Sequence, residues 1–262
     1  MHEPSSLGKK VLFLYPPPVL TDIVEELSYK EFEVYLVKDA VKSKRFLIQE
    51  PDSIVFINHD DGLDEQGWEA WVRGIREGEN TAHVGIGVLS LNEDQVLKEK
   101  YLMDLQVACG CITLKIGAAK TMEILAKTLE ANEARGRRKF VRAMTPPKMA
   151  QCVASFNEGN IRGDISDFSI AGMACSFEGG PNLKPGAILR SCQLTIKGGR
   201  LNVDGVVVAH RGARKSEDGS PLAASTVVMF DPGSLDESKR DKLHSLVFRV
   251  NQHNMERLFE TL

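Results

Sequence analysis

The 262-residue sequence contains no apolar run approaching the ~20 residues that a helix needs to cross a bilayer. The stretch VLFLYPPPVL is broken by three consecutive prolines, and MHEPSSLGKK ahead of it lacks the apolar core of a secretory signal, so the expected location is the cytoplasm. Cysteine is scarce and odd in number: Cys109, Cys111, Cys152, Cys175 and Cys192 sit mostly among apolar neighbours, which fits reduced, buried thiols and not a disulfide framework. Only Cys109 and Cys111 are close-spaced, and no second pair or nearby histidine completes a tetrahedral set, so no metal is expected. An excess of positive charge is also missing. A net charge of -3 argues against binding nucleic acid or membrane through the overall field, and any anion site has to be local.

What the chain does have is 42% hydrophobic residues, enough length for two domains, and a change of pattern near its middle. Up to about Glu130, the strand-like runs KVLFLY, FEVYLV, DSIVFIN, HVGIGVLS and CITLKI alternate with helix-like LTDIVEEL, DEQGWEAWVRGI, EDQVLKEKYLMDLQVA and AAKTMEILAKTLEANEARGRR. That alternation predicts a parallel sheet with crossover helices. Beyond Arg142 come short alternating runs separated by Gly, Pro, Asn and Asp: MAQCVASF, NIRGDIS, GMACSFE, ILRSCQLTI, RLNVDGVVVAH and STVVMF. They predict an antiparallel barrel or sandwich. A closing helix is expected in DESKRDKLHSLVFRVNQHNMERLF, with Leu243, Leu246, Val247, Val250 and Met255 at helical spacing. The expected division is residues 1–130, a basic linker over 131–145, and 146–262.

In the linker, five of the eight residues from Arg135 to Arg142 are cationic. A charge run is usually a solvated segment. Here Arg138-x-x-x-Arg142 is followed, 25 residues after Arg142, by Asp167-x-Ser169-x-x-Gly172. With this pair of motifs the chain resembles the PilZ family, the bacterial cyclic di-GMP receptors, whose signatures are RxxxR and [D/N]xSxxG in that order. The likeness runs over roughly Arg135 to Leu262. It implies a PilZ β-barrel with a terminal helix, non-enzymatic binding of cyclic di-GMP, and output in motility, attachment or virulence control. The segment RGARKSEDGSPLAAS departs from the family pattern by lengthening the connection before the last strand.

The residue chemistry suits such a ligand. Guanine offers O6 and N7 acceptors on one edge, which an arginine fork matches, and the same fork holds phosphate. Arg138 and Arg142 are the expected forks. Asp167 is suited to accept from the N1–H and N2–H edge, Ser169 offers a hydroxyl, and Gly172 lets the backbone turn and approach closely. Strand alternation puts Ile161, Ile165 and Asp167 on one side. The plain alternative is that Asp167 and Ser169 only cap their own turn. The resemblance also implies that Arg137 goes with binding of two stacked ligand molecules, and His210 beside Arg211 is a further candidate to line the site.

The first half resembles a receiver domain of the flavodoxin-like fold, in degenerate form. The positions where receivers carry acidic residues and an aspartate hold YPPP and Asn58, while Ser90 and Lys115 keep their places and Asp60 and Asp61 lie past the strand end. Without paired carboxylates there is little to hold Mg²⁺, and Asn58 cannot form an acyl phosphate. This half is expected to contact a protein partner. Trp68 and Trp71, three residues apart, predict one core ring and one exposed ring. His59, His83, His210, His244 and His253 are scattered, with no nucleophile elbow or phosphate loop, so no enzyme is expected. The alternative function is a nucleic-acid-binding regulator using the Arg135–Arg142 cluster, gated by the same ligand; the lack of an aromatic-rich basic sheet counts against it.

Overall fold

The computed structural model describes residues 8–157, 159–215, 221–222 and 224–262. They fall into two compact units that differ from the expected division: one takes the chain up to Lys139 together with Gln252–Leu262, the other Phe140–Asn251.

The first unit is an α/β layer structure. Strands β1 (Lys10–Leu14), β2 (Glu33–Val37), β3 (Ile54–Asn58), β4 (Gly85–Ser90) and β5 (Cys111–Thr113) are all parallel, in the order β2-β1-β3-β4-β5. This is the flavodoxin-like order. Every residue of β3 is buried, as a central parallel strand covered on both faces requires. Helices α1 (Val19–Tyr29), α3 (Glu65–Arg76) and α5 (Ala118–Ala131) stand where the apolar periodicity predicts them.

Two helices differ. Helix α2 (Ala40–Gln49) was hidden by its Lys and Arg content; its buried stripe is only Ala40, Ser43, Phe46 and Leu47, and Asp39 caps it by accepting from the Lys42 N–H. The long helix expected over residues 93–108 shortens to α4 (Gln95–Glu99), which buries nothing, followed by a π turn, Lys100–Asp104, that buries Tyr101. The expected exposed tryptophan is also corrected. Trp68 and Trp71 are both buried, their indole N–H groups donating to the carbonyls of Asp61 and Ala40 at 3.0 and 2.9 Å. A satisfied N–H removes the reason for a ring to stay at the surface.

The second unit is a closed antiparallel barrel. Strands β7 (Ala150–Phe156), β8 (Gly159–Ser169), β9 (Gly172–Phe177), β10 (Ile188–Ile196), β11 (Gly199–Arg211) and β14 (Ser225–Phe230) pair in the ring β8-β7-β10-β11-β14-β9, which the β8–β9 pairing closes. A short ribbon of β12 (Arg214–Lys215) and β13 (Pro221–Leu222) lies within the RGARKSEDGSPLAAS segment, most of which is outside the described residues. Helix α6 (Glu237–Thr261) lends Leu243, Leu246, Val247 and Val250 to the barrel core, each worth about 1.5–3 kcal/mol relative to exposure. The last part of α6 belongs to the first unit. There Met255 and Phe259 join the α/β core, and the Gln252 side-chain amide meets both the N–H and the carbonyl of Leu36 at 2.9 Å, satisfying a backbone pair on edge strand β2.

Candidate ligand-binding site

The site starts from an edge that β7 leaves open. Strand β8 is long, and β7 covers one of its edges only from Gly159 to Asp164. Further along β8, the end of the linker takes over as β6 (Ala143–Met144), pairing Ala143 with Phe168 and Met144 with Asp167. Thr145 fixes the join, its N–H donating to the Ser166 carbonyl at 2.9 Å and its hydroxyl to that of Ile165. Arg142 therefore enters directly beside the second motif. Its own carbonyl accepts from the amide of Asn251, a buried residue of α6, at 3.2 Å.

Two β-bulges decide which side chains face this edge. In β8, Ile165 pairs with Cys175 and Asp167 with Ala174, leaving Ser166 as the extra residue. Ile165 and Phe168 thus both enter the barrel core, three residues apart, and Asp167 and Ser169 turn to the outer face. This corrects the expectation that Asp167 shares a side with Ile165. In β11, Val207 pairs with Val228 in the core and Ala209 with Val227, leaving Val208 extra. Regular alternation from Val207 would turn Arg211 inward and His210 outward. The bulge reverses them, and Arg211 joins Asp167 on the outer face.

There Asp167 is 4% exposed. A carboxylate so far from water needs compensation. Arg211 Nη1 donates to Asp167 Oδ2 at 2.9 Å, and Arg142 Nη1 lies 3.6 Å from Oδ1. Arg211 was missed in the sequence because the bulge that redirects it leaves no mark within the run of valines. Ser169 Oγ accepts from the Ala171 N–H at 3.2 Å, closing the hairpin turn. Gly172 is not needed for a left-handed turn, since its φ is not positive. It is needed for space: a Cβ there would lie 2.3 Å from the Val228 carbonyl oxygen.

The remaining expected residues are placed differently. Arg137 and Arg138 are exposed in a bend, and among the described residues their side chains are unpaired. His210 Nε2 meets the Leu183 carbonyl and its Nδ1 faces the Thr226 hydroxyl at 3.3 Å, so both ring nitrogens are engaged. Arg135, part of the basic run, is occupied as well: it pairs with Glu130 at 3.3 Å and lies over the Phe32 ring at 4.7 Å.

Residues 136–249 match the family model described as the PilZ domain. That segment is a PilZ domain. Among solved structures, the chain is similar to the PilZ domain of YcgR from Escherichia coli with c-di-GMP (17% identity over 47% of this chain and 97% of that one, TM-score 0.39). It is also similar to the MrkH–c-di-GMP complex of K. pneumonia (18% identity, 47% and 57%, TM-score 0.38) and to MotI/DgrA, an inhibitor of motility of Bacillus subtilis (18%, 45% and 52%, TM-score 0.32). The matched part is thus little more than half the length of the latter two proteins. No curated protein sequence matches the chain.

Outside the PilZ domain, the receiver-like positions of the first unit are closed by internal bonds. Asn58 donates to the Tyr15 carbonyl at 2.8 Å, and Asp60 accepts from the Ser90 hydroxyl at 2.9 Å and from the Leu91 N–H. Lys115 is exposed. Among the described residues, no group of three His, Cys, Asp or Glu side chains is placed to hold a metal, and no helix is long and apolar enough to cross a membrane. Burial pushes the Cys109 and Cys111 thiols up to about 11, and contact with Cys152 followed by burial raises that of Cys192 further.

Proposed function

We propose that the chain is a non-enzymatic cytoplasmic receptor for cyclic di-GMP, in which Arg138, Arg142, Asp167 and Ser169 form the ligand site, with Arg137 beside them and Gly172 packing the β9–β14 seam behind them. The observation that carries this reading is the convergence of the two motifs: Arg142 and Asp167, 25 residues apart in sequence, meet across β6 and β8 on an outward sheet face. Asp167 takes the N1–H and N2–H edge of guanine, and the arginines take its O6/N7 edge and the phosphodiesters. Ser169 adds its hydroxyl, which has a lone pair and a proton left after the bond from Ala171. His210 orders the strand end beside Arg211.

In this reading the ligand draws the exposed Arg138 onto the barrel, orders the linker and reorients the two units. Ligand that binds only the ordered form shifts that balance. The first unit then signals to a protein partner in motility, attachment or virulence control. Calorimetric titration of the full chain with cyclic di-GMP tests the proposal: saturable heat at micromolar ligand is expected, weakened at least about tenfold in Arg142→Ala. No saturable heat, or an unchanged affinity in that variant, sinks it.

A nucleic-acid-binding output gated by the same ligand is the second reading, favoured by the exposure of Arg137 and Arg138. It predicts a gel shift that depends on cyclic di-GMP and fades steeply with salt.

A further inference from the structure

Resting on the cyclic di-GMP reading, we infer that Arg211 is a positioning residue that sets guanine specificity: it pins the Asp167 carboxylate and leaves Arg142 as the arginine that lets go. The two contacts on Asp167 are unequal. Arg211 makes a hydrogen bond of 2.9 Å to Oδ2, whereas Arg142 stands 3.6 Å from Oδ1, beyond hydrogen-bond distance. The Arg211 side chain is also less exposed than that of Arg142, at 22% against 36%. When a guanine edge arrives with its two N–H donors, the looser contact gives way. Arg142 swings to the base or phosphate while Oδ2, which retains a second lone pair, stays fixed by Arg211.

Charge balance points the same way. A cyclic dinucleotide brings two phosphodiester charges to a site that already contains a carboxylate. On the barrel face itself Arg142 only neutralises Asp167, and Arg211 beside it leaves one net positive charge turned toward the ligand. Arg211 reaches the outer face because Val208 is bulged out of the β11–β14 ladder.

The role is separable from mere support of the barrel by ligand discrimination. Adenine lacks the N1–H and N2–H donors that a fixed Asp167 would read, so the ratio of affinities for cyclic di-GMP and cyclic di-AMP reports how well the carboxylate is held. Titrations of the full chain are compared for wild type, Arg211→Met and Arg211→Lys, with thermal unfolding as the check on folding. Arg211→Met is expected to bind cyclic di-GMP at least about tenfold more weakly and to lose a similar factor of discrimination, with Arg211→Lys recovering most of both. A folded Arg211→Met with unchanged affinity and ratio overturns the inference. Should Arg211→Met fail to fold, Arg211→Gln decides: discrimination lost in the folded glutamine variant supports the inference, and full discrimination retained in it overturns it. A wild type that binds neither nucleotide refutes the receptor reading itself, a different result from either of these.

Discussion

Replacing Gly172 by alanine separates two reasons for a glycine at the end of the D-x-S-x-x-G motif. If the residue is small so that ligand can approach, Gly172→Ala leaves the barrel intact and abolishes binding. The geometry argues otherwise. A Cβ would stand 2.3 Å from the Val228 carbonyl oxygen and 3.2 Å from the Met229 Cα, against an ordinary contact of 3.4 Å or more. Relief requires a shift of about 1 Å between backbones, and β9 and β14 are held together by four register pairs, Gly172–Met229 to Cys175–Thr226. Neither strand is a free edge that can swing away, because β9 is also paired with β8 and β14 with β11. Overpacking costs about 1–3 kcal/mol when flexible side chains take up the strain, and this case belongs at the upper end, about 3 kcal/mol. At roughly 4–8 °C per kcal/mol, the barrel transition should fall by about 10–20 °C. Hydrogen exchange at the amides of β9 and β14 assigns the loss to this seam, and Gly159→Ala, whose Cβ would meet nothing within 4 Å, is the control expected to stay within about 0.5 kcal/mol of wild type. Gly172→Ala with wild-type stability and no ligand binding would refute the reasoning.

Other outcomes follow from the same contacts. Asp167→Ala removes the acceptor of two charge-assisted hydrogen bonds at about 1.5 kcal/mol each, so cyclic di-GMP affinity should drop about 100-fold in calorimetry, whereas Asp167→Asn, which keeps one acceptor oxygen, should lose less. All five cysteines are free, and four are buried, so a thiol reagent at pH 7.5 should label the native protein slowly and all five sites once guanidinium unfolds it. Burial holds the His244 imidazole below its ordinary value, so the unfolded chain takes up the proton first as pH falls. Barrel stability should therefore be full above about pH 6.5 and decline as pH drops through it, a dependence that His244→Gln should reduce in pH-dependent denaturant melts.

Much of the architecture was readable because it rests on period and punctuation. All five parallel strands, the six barrel strands and α6 stand where apolar spacing predicts them, since burying one face of each element is what the pattern encodes. The departures each have a local cause. Helix α2 escapes because two apolar side chains, Phe46 and Leu47, suffice for a stripe on a segment otherwise rich in cations. The expected helix over residues 93–108 breaks because only part of its apolar set meets the core: Tyr101, Leu105 and Val107 are buried, whereas Val96 is 75% exposed and Met103 73%. Strand β6 is two residues long, and its partner is an edge of β8 that no pattern within Ala143–Met144 reveals.

The motif pair pointed to one edge of the barrel, yet the faces of its residues depended on phase. Period-two counting is reliable only until a strand gains a residue, and both Ser166 and Val208 are gained residues. The first left a trace. Ile165 and Phe168 are two core-type residues at odd spacing within one strand, which regular alternation cannot bury together, so a shift between them was deducible. The second left none, because Val206, Val207 and Val208 fit either phase equally well. That difference explains why the expected facing of Asp167 was correctable from the sequence, while that of His210 and Arg211 was not. It also yields a test of the bulge itself. Deleting Val208 should remove the extra residue without changing the pairs that follow, so that Ala209 still meets Val227 and Arg211 still meets Ser225 on the outer face, and ligand affinity and discrimination should stay close to wild type. A folded deletion variant with the weakened, poorly discriminating binding expected of Arg211→Met would refute the assignment of Val208 as the extra residue.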